Sequence, residues 1–518
     1  MSKKIYSYLV VLQLFVISIA LQAQKQDDVI KKIIETGKTD NQTMHHLDVL
    51  TNRIGGRLLG SAAYETATQW AASQFKQWGM QVELQEVGTL PVGFERGPWF
   101  GRLIGENSQP LHFVTPSYTS GTKGIQSGHV VMEPRTQEEF NSMKGKLKGA
   151  WVLVNGKSHG WPIDYSAKGD KYRDSLIKVN EDIDKKNQKI QEENYYNKTN
   201  NKLLEYVKEP ALFYKQMKDA GILGIIQSAP VPLVALYDRN NLEHMTFDSL
   251  PTVPDIKLDE NQYAIIERMV KERRDFKLEF DIRNHFRMGP IKYHNVIGII
   301  PGTKYPDEYV IACGHLDAFD VATGGVDDGS GVTPTMEAAR LIMKAGGKPK
   351  RTMLFCLWAG EEFGLWGSKY WVEHNKEKLP KISNVINRDY GPLVPTTIAV
   401  TDAMWKDMEK ITAPVNSINP DFPLKMVKRA PRPFPKTAGG SDHAYFALNG
   451  VPTMGFGIED VKGYDFDYGE IWHTERDTYN MSIPEYQNQT SIVTAIVMYG
   501  IANLDHLLSR EGYYIIQK

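Results

Sequence analysis

Tyr309-Val310-Ile311-Ala312-Cys313-Gly314-His315-Leu316-Asp317 and Met353-Leu354-Phe355-Cys356-Leu357-Trp358-Ala359-Gly360-Glu361-Glu362 decide the fold class. Each is an apolar run of strand length, broken at a glycine and followed at once by a polar cluster. A short continuous apolar run suits a strand buried on both faces, as in a parallel sheet covered by helices. Val296–Ile300 and Val385–Ile386 are shorter runs of the same kind. Helical patterns intervene at Gly331–Ala345, closed by Gly346-Gly347, and at Gly364–Asn375, and a last long one covers Pro484–Leu508 with proline at its start. This alternation predicts an α/β, three-layer domain with a mixed, largely parallel sheet, and loops at the strand C-termini that carry the site.

Upstream, residues 40–80 look helical, and Tyr64–Trp78 carries Ala, Trp and Phe at helical spacing. Gly79 ends that helix, and Met80–Val87 alternates like a strand. The character changes near residue 118, where Val130–Val131, Ala150–Val154 and Gly224–Ile226 are short β-like runs. Between them Asp164–Glu209 is rich in Lys, Asn, Gln and Glu, which reads as an exposed helical excursion or loop. The chain therefore divides into 1–23 as a signal peptide, 24–117 and 273–518 as two parts of one domain, and 118–272 as a β-rich insert.

Composition sets the outer limits. The 518 residues hold 61 Lys and Arg against 62 Asp and Glu, with 41% hydrophobic and 24% charged residues. That balance excludes a disordered, collagen-like or strongly basic nucleic-acid-binding chain. Lys3 and Lys4, the apolar stretch Ile5–Leu21 and Leu21-Gln22-Ala23 read as a secretory signal peptide, so a periplasmic or secreted protein without a later membrane span is expected. Two cysteines, Cys313 and Cys356, are too few for a disulfide scaffold and read as small buried hydrophobes, with pairing left open.

Five acidic or histidine clusters stand out. Gly314-His315-Leu316-Asp317 offers an imidazole that can ligate zinc and a carboxylate that can orient it. Gly325–Gly331 places Asp327-Asp328 at a helix start. Ala359–Gly364 holds the adjacent Glu361 and Glu362, which can point one to a metal and the other to a water. Asn387–Gly391 holds Asp389. Trp472-His473-Thr474 completes the set, with Asp477 beyond it. Singly, each reads more readily as a turn or a solvated face. Together, His, Asp, Glu, Asp and His in one α/β domain suit two metal ions bridged by a carboxylate, an arrangement made for hydrolysis.

The clusters resemble the M28 family of zinc exopeptidases. Cys313-Gly314-His315-Leu316-Asp317 is similar to the family's first His–Asp motif, Gly325–Gly331 to its G-x-D-D-x-S-G, and Glu361–Ser368 to its E-E-x-G-x-x-G-S. Gly440-Ser441-Asp442-His443 is similar to a substrate-side loop of the family. The N-terminal Leu50–Ser61 and the inserted module point to the carboxypeptidase Q-like branch, in which a protease-associated (PA) domain interrupts the peptidase domain. The resemblance implies that His315, Asp327 and Asp389 hold one zinc and Asp327, Glu362 and His473 the other, two Zn2+ per chain. It implies Glu361 as general base, taking a proton from the shared water, and Asp317 as the residue that orients His315. Two departures touch the surrounding geometry. The turn Asp327–Gly331 is one residue shorter than the commoner Asp-Asp-Asn-x-Ser-Gly, and the fourth ligand sits in Arg388-Asp389-Tyr390.

Short peptides are the substrates this implies. Gly463–Glu470, acidic and aromatic, could hold a free α-amino group, and the basic Lys425–Lys436 a carboxylate. The Arg53–Arg57 turn reads as packing. Alternatives are a catalytically inactive M28-like binding domain, a glutaminyl cyclase-like zinc enzyme, and an M20-type amidohydrolase. The choice of peptide end, side-chain preference and homodimerisation stay open.

Overall fold

The computed structural model describes residues 26–105 and 108–515. The segment 1–23, read as a signal peptide, lies outside the described residues. The central sheet has five strands in the order Gln81–Glu95, His285–Ile300, Arg351–Trp358, Tyr305–His315 and Ile382–Asn387. The first two pairings are antiparallel, and Tyr305–His315 runs parallel to both of its neighbours.

Successive side chains of a strand point to opposite faces, and here the two faces feed different cores. Met353, Phe355, Leu357, Val310 and Ala312 pack on one side, under the helices Ala62–Gln77, Gly329–Lys344 and Pro484–Ala502. Leu354, Cys356, Trp358, Ile311 and Cys313 pack on the other, against Trp371, Val372 and Phe446 of the helices Trp366–His374 and His443–Leu448. Every residue of Arg351–Trp358 is buried, which is why the run shows no polar alternation. The helix Ala62–Gln77 starts where the Ser61 hydroxyl accepts the Tyr64 N–H at 3.1 Å. Pro484–Ala502 is buried on nearly all sides, so its apolar composition belongs to a core helix. Among the described residues no helix is long and apolar enough to cross a membrane.

Cys313 and Cys356 are free and buried, in register on adjacent strands. The Cys313 thiol donates to Asn387 Oδ1 at 3.2 Å, and burial pushes both thiols up.

A second sheet of eight strands follows the order Gln109–Pro110, Trp99–Ile104, Lys277–Ile282, Gln126–Met132, Ala150–Lys157, Gly224–Ala229, Asp255–Asp259 and Phe113–Val114. Its strands begin at Trp99, upstream of 118, and end at Ile282. They are looped out between Gln81–Glu95 and His285–Ile300, which pair from Gln81 opposite Ile299 to Glu95 opposite His285. The chain thus leaves and re-enters the central sheet at one place. The charged stretch forms the helix Ala167–Asn197, capped by Ser166 and mostly exposed. A third, small sheet sets Val394–Val400 between Lys425–Lys428 and Phe456–Glu459.

Candidate metal centre

The three mutually parallel strands end at one edge of the central sheet, where His315 lies opposite Trp358 and Cys313 opposite Asn387. The turns that follow deliver Asp317, Glu361, Glu362 and Asp389 to that edge. Asp327 arrives just before the helix Gly329–Lys344, and His473 arrives from a loop, with φ at 60°. The structure brings all seven of these residues to one place.

Asp327 lies at the centre. Its Oδ1 is 3.0 Å from His315 Nε2, and its Oδ2 is 3.3 Å from His473 Nε2. Asp389 Oδ1 stands 3.6 Å from His315 Nε2, and Glu362 Oε2 stands 2.8 Å from His473 Nε2. Ligand-type atoms of His315, Asp327 and Glu362 fall within 4.8 Å of one another, as do those of His315, Asp328 and Asp389. Buried polar atoms ordinarily find a hydrogen bond, yet Asp327 Oδ2 and Glu362 Oε1 are buried without one. Gathering this many carboxyls around two imidazoles, out of water, is costly unless cations sit among them. The set of imidazole nitrogens and carboxylate oxygens fits zinc.

The electrostatics express the same crowding. Burial pushes His315 down, but Asp389, Glu361, Asp317 and Asp327 together hold it well above its ordinary value. Burial also opposes the charge on His473, yet Glu362 and Asp327 raise it to about 10. Burial lifts the Glu361 carboxyl to about 11 and Glu362 to about 7, with neighbouring carboxylates adding to the rise. Burial works against the Asp327 carboxylate too, but the two histidines hold it well below the usual range.

Around these groups the turns are tied by hydrogen bonds. The Asp317 carboxylate accepts the N–H of Glu361 at 3.1 Å and of Glu362 at 3.3 Å. Asp317 meets His315 mainly through its own carbonyl, 2.9 Å from Nδ1, while its carboxylate is 3.7 Å away. A backbone carbonyl on the second ring nitrogen fixes the ring and its tautomer as a carboxylate would. Asp477 accepts the Val326 N–H at 2.6 Å and the Asp327 N–H at 3.2 Å, so it anchors the central carboxylate from behind.

Two further residues at this edge make bonds that a reading of the sequence does not specify. Asp328 Oδ2 accepts the His315 N–H at 3.0 Å. Its carboxyl is accommodated because Gly314 and Gly331 lack side chains: a Cβ at either would stand 2.5 Å or less from an Asp328 oxygen. Arg57 is fully buried and donates to the carbonyls of Leu316, Thr323 and Gly324, binding the loops that bear Asp317 and Asp327. The second aspartate of the Asp-Asp pair was the one available signal for Asp328. Arg57 lies in the turn read from sequence as packing, and its burial agrees with that reading.

The two stretches considered for substrate also take their places. Tyr468 and Phe466 pack over Gly391, next to Asp389. Their loop, with Asp467, Glu470 and Arg476, lines an open cavity of about 780 Å³. In the basic stretch, Lys425–Lys428 is a strand of the small sheet and Arg429 stacks on the Tyr513 ring at 3.8 Å.

The chain is similar to known proteins over nearly its whole length. Carboxypeptidase Q from rat is 26% identical over 501 residues, spanning 94% of this chain and 91% of that protein. The human carboxypeptidase Q is 25% identical over 496 residues, with 93% and 91% covered. Among solved structures, an M28 peptidase precursor from Shewanella amazonensis shares the fold with a TM-score of 0.57 at 20% identity, covering 94% of this chain and 98% of that one. The zinc aminopeptidase BSAP from Bacillus subtilis does so with a TM-score of 0.51 at 16% identity, covering 92% and 97%. Residues 295–497, which contain His315, Asp327, Glu361, Glu362, Asp389 and His473, match the profile of peptidase family M28. The chain carries a peptidase domain of family M28.

Proposed function

We propose that this chain is an exported exopeptidase that hydrolyses short peptides at a two-zinc centre. His315, Asp327 and Asp389 would hold one ion, and Asp327, Glu362 and His473 the other. The observation that carries this reading is Asp327, whose two oxygens face two different histidines from either side. When bound, two such ions acidify a shared water and polarise the scissile carbonyl.

The protein's own groups do the rest. Glu361 is placed among His315, Asp389 and Glu362, and among the described residues no ion pair occupies its carboxyl. Cations held by the neighbouring ligands would favour its ionised form, in which it can accept the proton of the attacking water at a carboxylate oxygen and return it to the leaving amine. Asp317 keeps both glutamates in place through their N–H groups. The acidic and aromatic loop Gly463–Glu470 is placed to meet the substrate beside Asp389. The names of the relatives aligned over nearly the whole chain favour release of a C-terminal residue. Residues 118–272 take the role of the PA-like insert, and the segment 1–23 that of the export signal.

Elemental analysis of the purified, zinc-replete protein should give about two zinc ions per chain, as a two-metal centre requires. One ion or none would overturn the two-zinc reading. Free dipeptides should be cleaved and C-amidated ones spared; the reverse, with N-blocked peptides spared, would assign aminopeptidase action instead.

A further inference from the structure

The second sheet holds no part of the centre itself, yet it grips the loop that bears His473. Glu475, two residues on, donates its N–H to the Leu233 carbonyl at 3.0 Å, and its Oε1 accepts the Leu233 N–H at 3.2 Å. Val234 and Thr474 form an antiparallel bridge beside that pair. The other Glu475 oxygen, Oε2, is 2.8 Å from His112 Nε2, and His112 Nδ1 is 3.2 Å from Asp259 Oδ2. His112 and Asp259 flank two paired strands of the second sheet, Phe113–Val114 and Asp255–Asp259, and the Asp259 N–H donates to the His112 carbonyl. The gripping segment is itself fastened to that unit, since the Leu236 N–H donates to the Gly160 carbonyl and the Ser117 N–H to the Leu236 carbonyl.

A second contact runs through aromatic rings. The Phe319 ring meets His473 edge-on, with centroids 4.6 Å apart. Tyr237, from the same gripping segment, stacks on Phe319 at 6.2 Å and on Phe363 at 4.2 Å. Phe363 directly follows Glu362. The second sheet thus touches the supports of His473 and Glu362. His315 and Asp389 themselves stand at strand ends of the central sheet, although Ser117 also reaches Asp320, in the loop after His315, at 2.5 Å.

The backbone at His473 makes such a grip necessary. A non-glycine residue in the left-handed region is strained and persists only when its surroundings hold it there. His473, at φ 60°, is such a residue. Within its own loop the Thr474 N–H goes to the Ile471 carbonyl and the Asp477 N–H to the Thr474 carbonyl, and on the far side Asp477 ties the loop to the Asp327 turn.

We infer that the second sheet is a positioning element for one half of the metal centre: Glu475 and Tyr237 hold His473 and Glu362 in ligating geometry, while His315 and Asp389 stand at strand ends of the central sheet. This rests on the two-zinc reading above and goes beyond it, because it makes the two ions unequal. Outer partners of a metal ligand commonly set 10–100-fold in metal affinity. Loosening the grip should weaken one ion by that much and leave the other as it was.

The test uses the full chain with Glu475→Ala and, separately, Tyr237→Leu. Arg102→Ala serves as control, since it breaks an exposed ion pair with Glu279 elsewhere on the second sheet. Amide hydrogen exchange of the metal-free proteins is read first over residues 471–478. Exchange there should quicken by about tenfold or more in Glu475→Ala, which loses the side-chain half of the Leu233 pair, and stay at the parent rate in Arg102→Ala. Zinc titration against a chromophoric chelator follows. Both variants should keep one ion at parental affinity and hold the other about 10–100-fold more weakly. Unchanged exchange in Glu475→Ala overturns the inference, and so do two parental zinc affinities in both variants. A parent chain that binds fewer than two ions overturns the proposed function instead, before any variant is made. The exchange measurement then still decides whether the second sheet holds the His473 loop.

Discussion

Glu361 and Glu362 are neighbours with the same chemistry and different surroundings. Both N–H groups are tied to the Asp317 carboxylate, so the turn is fixed and the two side chains diverge. Glu362 points to His473 at 2.8 Å, whereas among the described residues nothing pairs with the Glu361 carboxyl. The same chemical change should therefore give two phenotypes. Glu361→Gln removes a proton acceptor and leaves every proposed ligand in place. It should retain both zinc ions and lose roughly 10²–10⁴-fold in turnover, the range that removal of a general base costs. Glu362→Gln replaces an anionic ligand with a neutral one, so zinc affinity should fall and excess zinc should partly restore activity. Zinc content measured beside turnover at several zinc concentrations separates the two. Rescue of Glu361→Gln but not Glu362→Gln would reverse the assignment. The seven residues gathered at this edge are legible in sequence because most stand just past an apolar run or at a helix start. The partners of Asp328 and Arg57 are not, because a bond to one backbone N–H or to three carbonyls leaves no trace in spacing, although the Arg53–Arg57 turn does read as packing.

At the scale of elements, the strands Tyr305–His315 and Arg351–Trp358 show in the sequence because burial on both faces removes polar residues from them. The partnership of Gln81–Glu95 with His285–Ile300 does not show. It joins segments far apart in the chain, and antiparallel partners are chosen by tertiary packing. The helix Gly329–Lys344 is legible from its apolar spacing, but the reason for its glycine-rich start lies in the neighbouring loop. A Cβ at Gly331 would stand 1.9 Å from the Arg388 carbonyl oxygen and 2.3 Å from Asp328 Oδ1. Gly331→Ala must push the Asp389 turn away and should cost about 1–3 kcal/mol as overpacking, with zinc affinity falling as well. Gly145 is the opposite case. It lies in the last turn of the helix Gln137–Leu147, and a Cβ there would meet nothing within 4 Å. Gly145→Ala should stabilise the protein by roughly 0.5–1 kcal/mol, since alanine loses less backbone freedom on folding. Denaturant midpoints of the two variants should move in opposite directions; a shared sign would show that steric room does not decide either case.

The molecule as a whole is one sheet interrupted by another, and each has its own apolar core. The interruption is tolerated because it leaves and returns between two paired strands, so the central sheet closes without it. The second sheet's core carries a buried carboxyl, Glu133, whose oxygens accept the N–H groups of Asn155 at 2.6 Å and Leu212 at 3.2 Å. Burial nonetheless pushes Glu133 up to about 8 from its ordinary 4.5. The folded protein therefore holds this proton more tightly than the unfolded chain. Its contribution to stability is fully present below about pH 4.5 and is lost as pH rises to about 8, at up to about 1.4 kcal/mol per pH unit. In Glu133→Gln that proton is gone. The amide also loses an acceptor for one backbone N–H, which shifts stability by a constant amount at every pH, so the slope is the informative quantity. Unfolding free energies from urea titrations between pH 5 and 8 should fall less steeply in Glu133→Gln than in the parent, by up to one proton's worth. Asp238, raised to about 6 by burial, acts in the same sense in both proteins and cancels in the comparison. Identical slopes would mean that Glu133 is ionised in the folded protein throughout this range, its charge held by the two N–H groups rather than suppressed by burial.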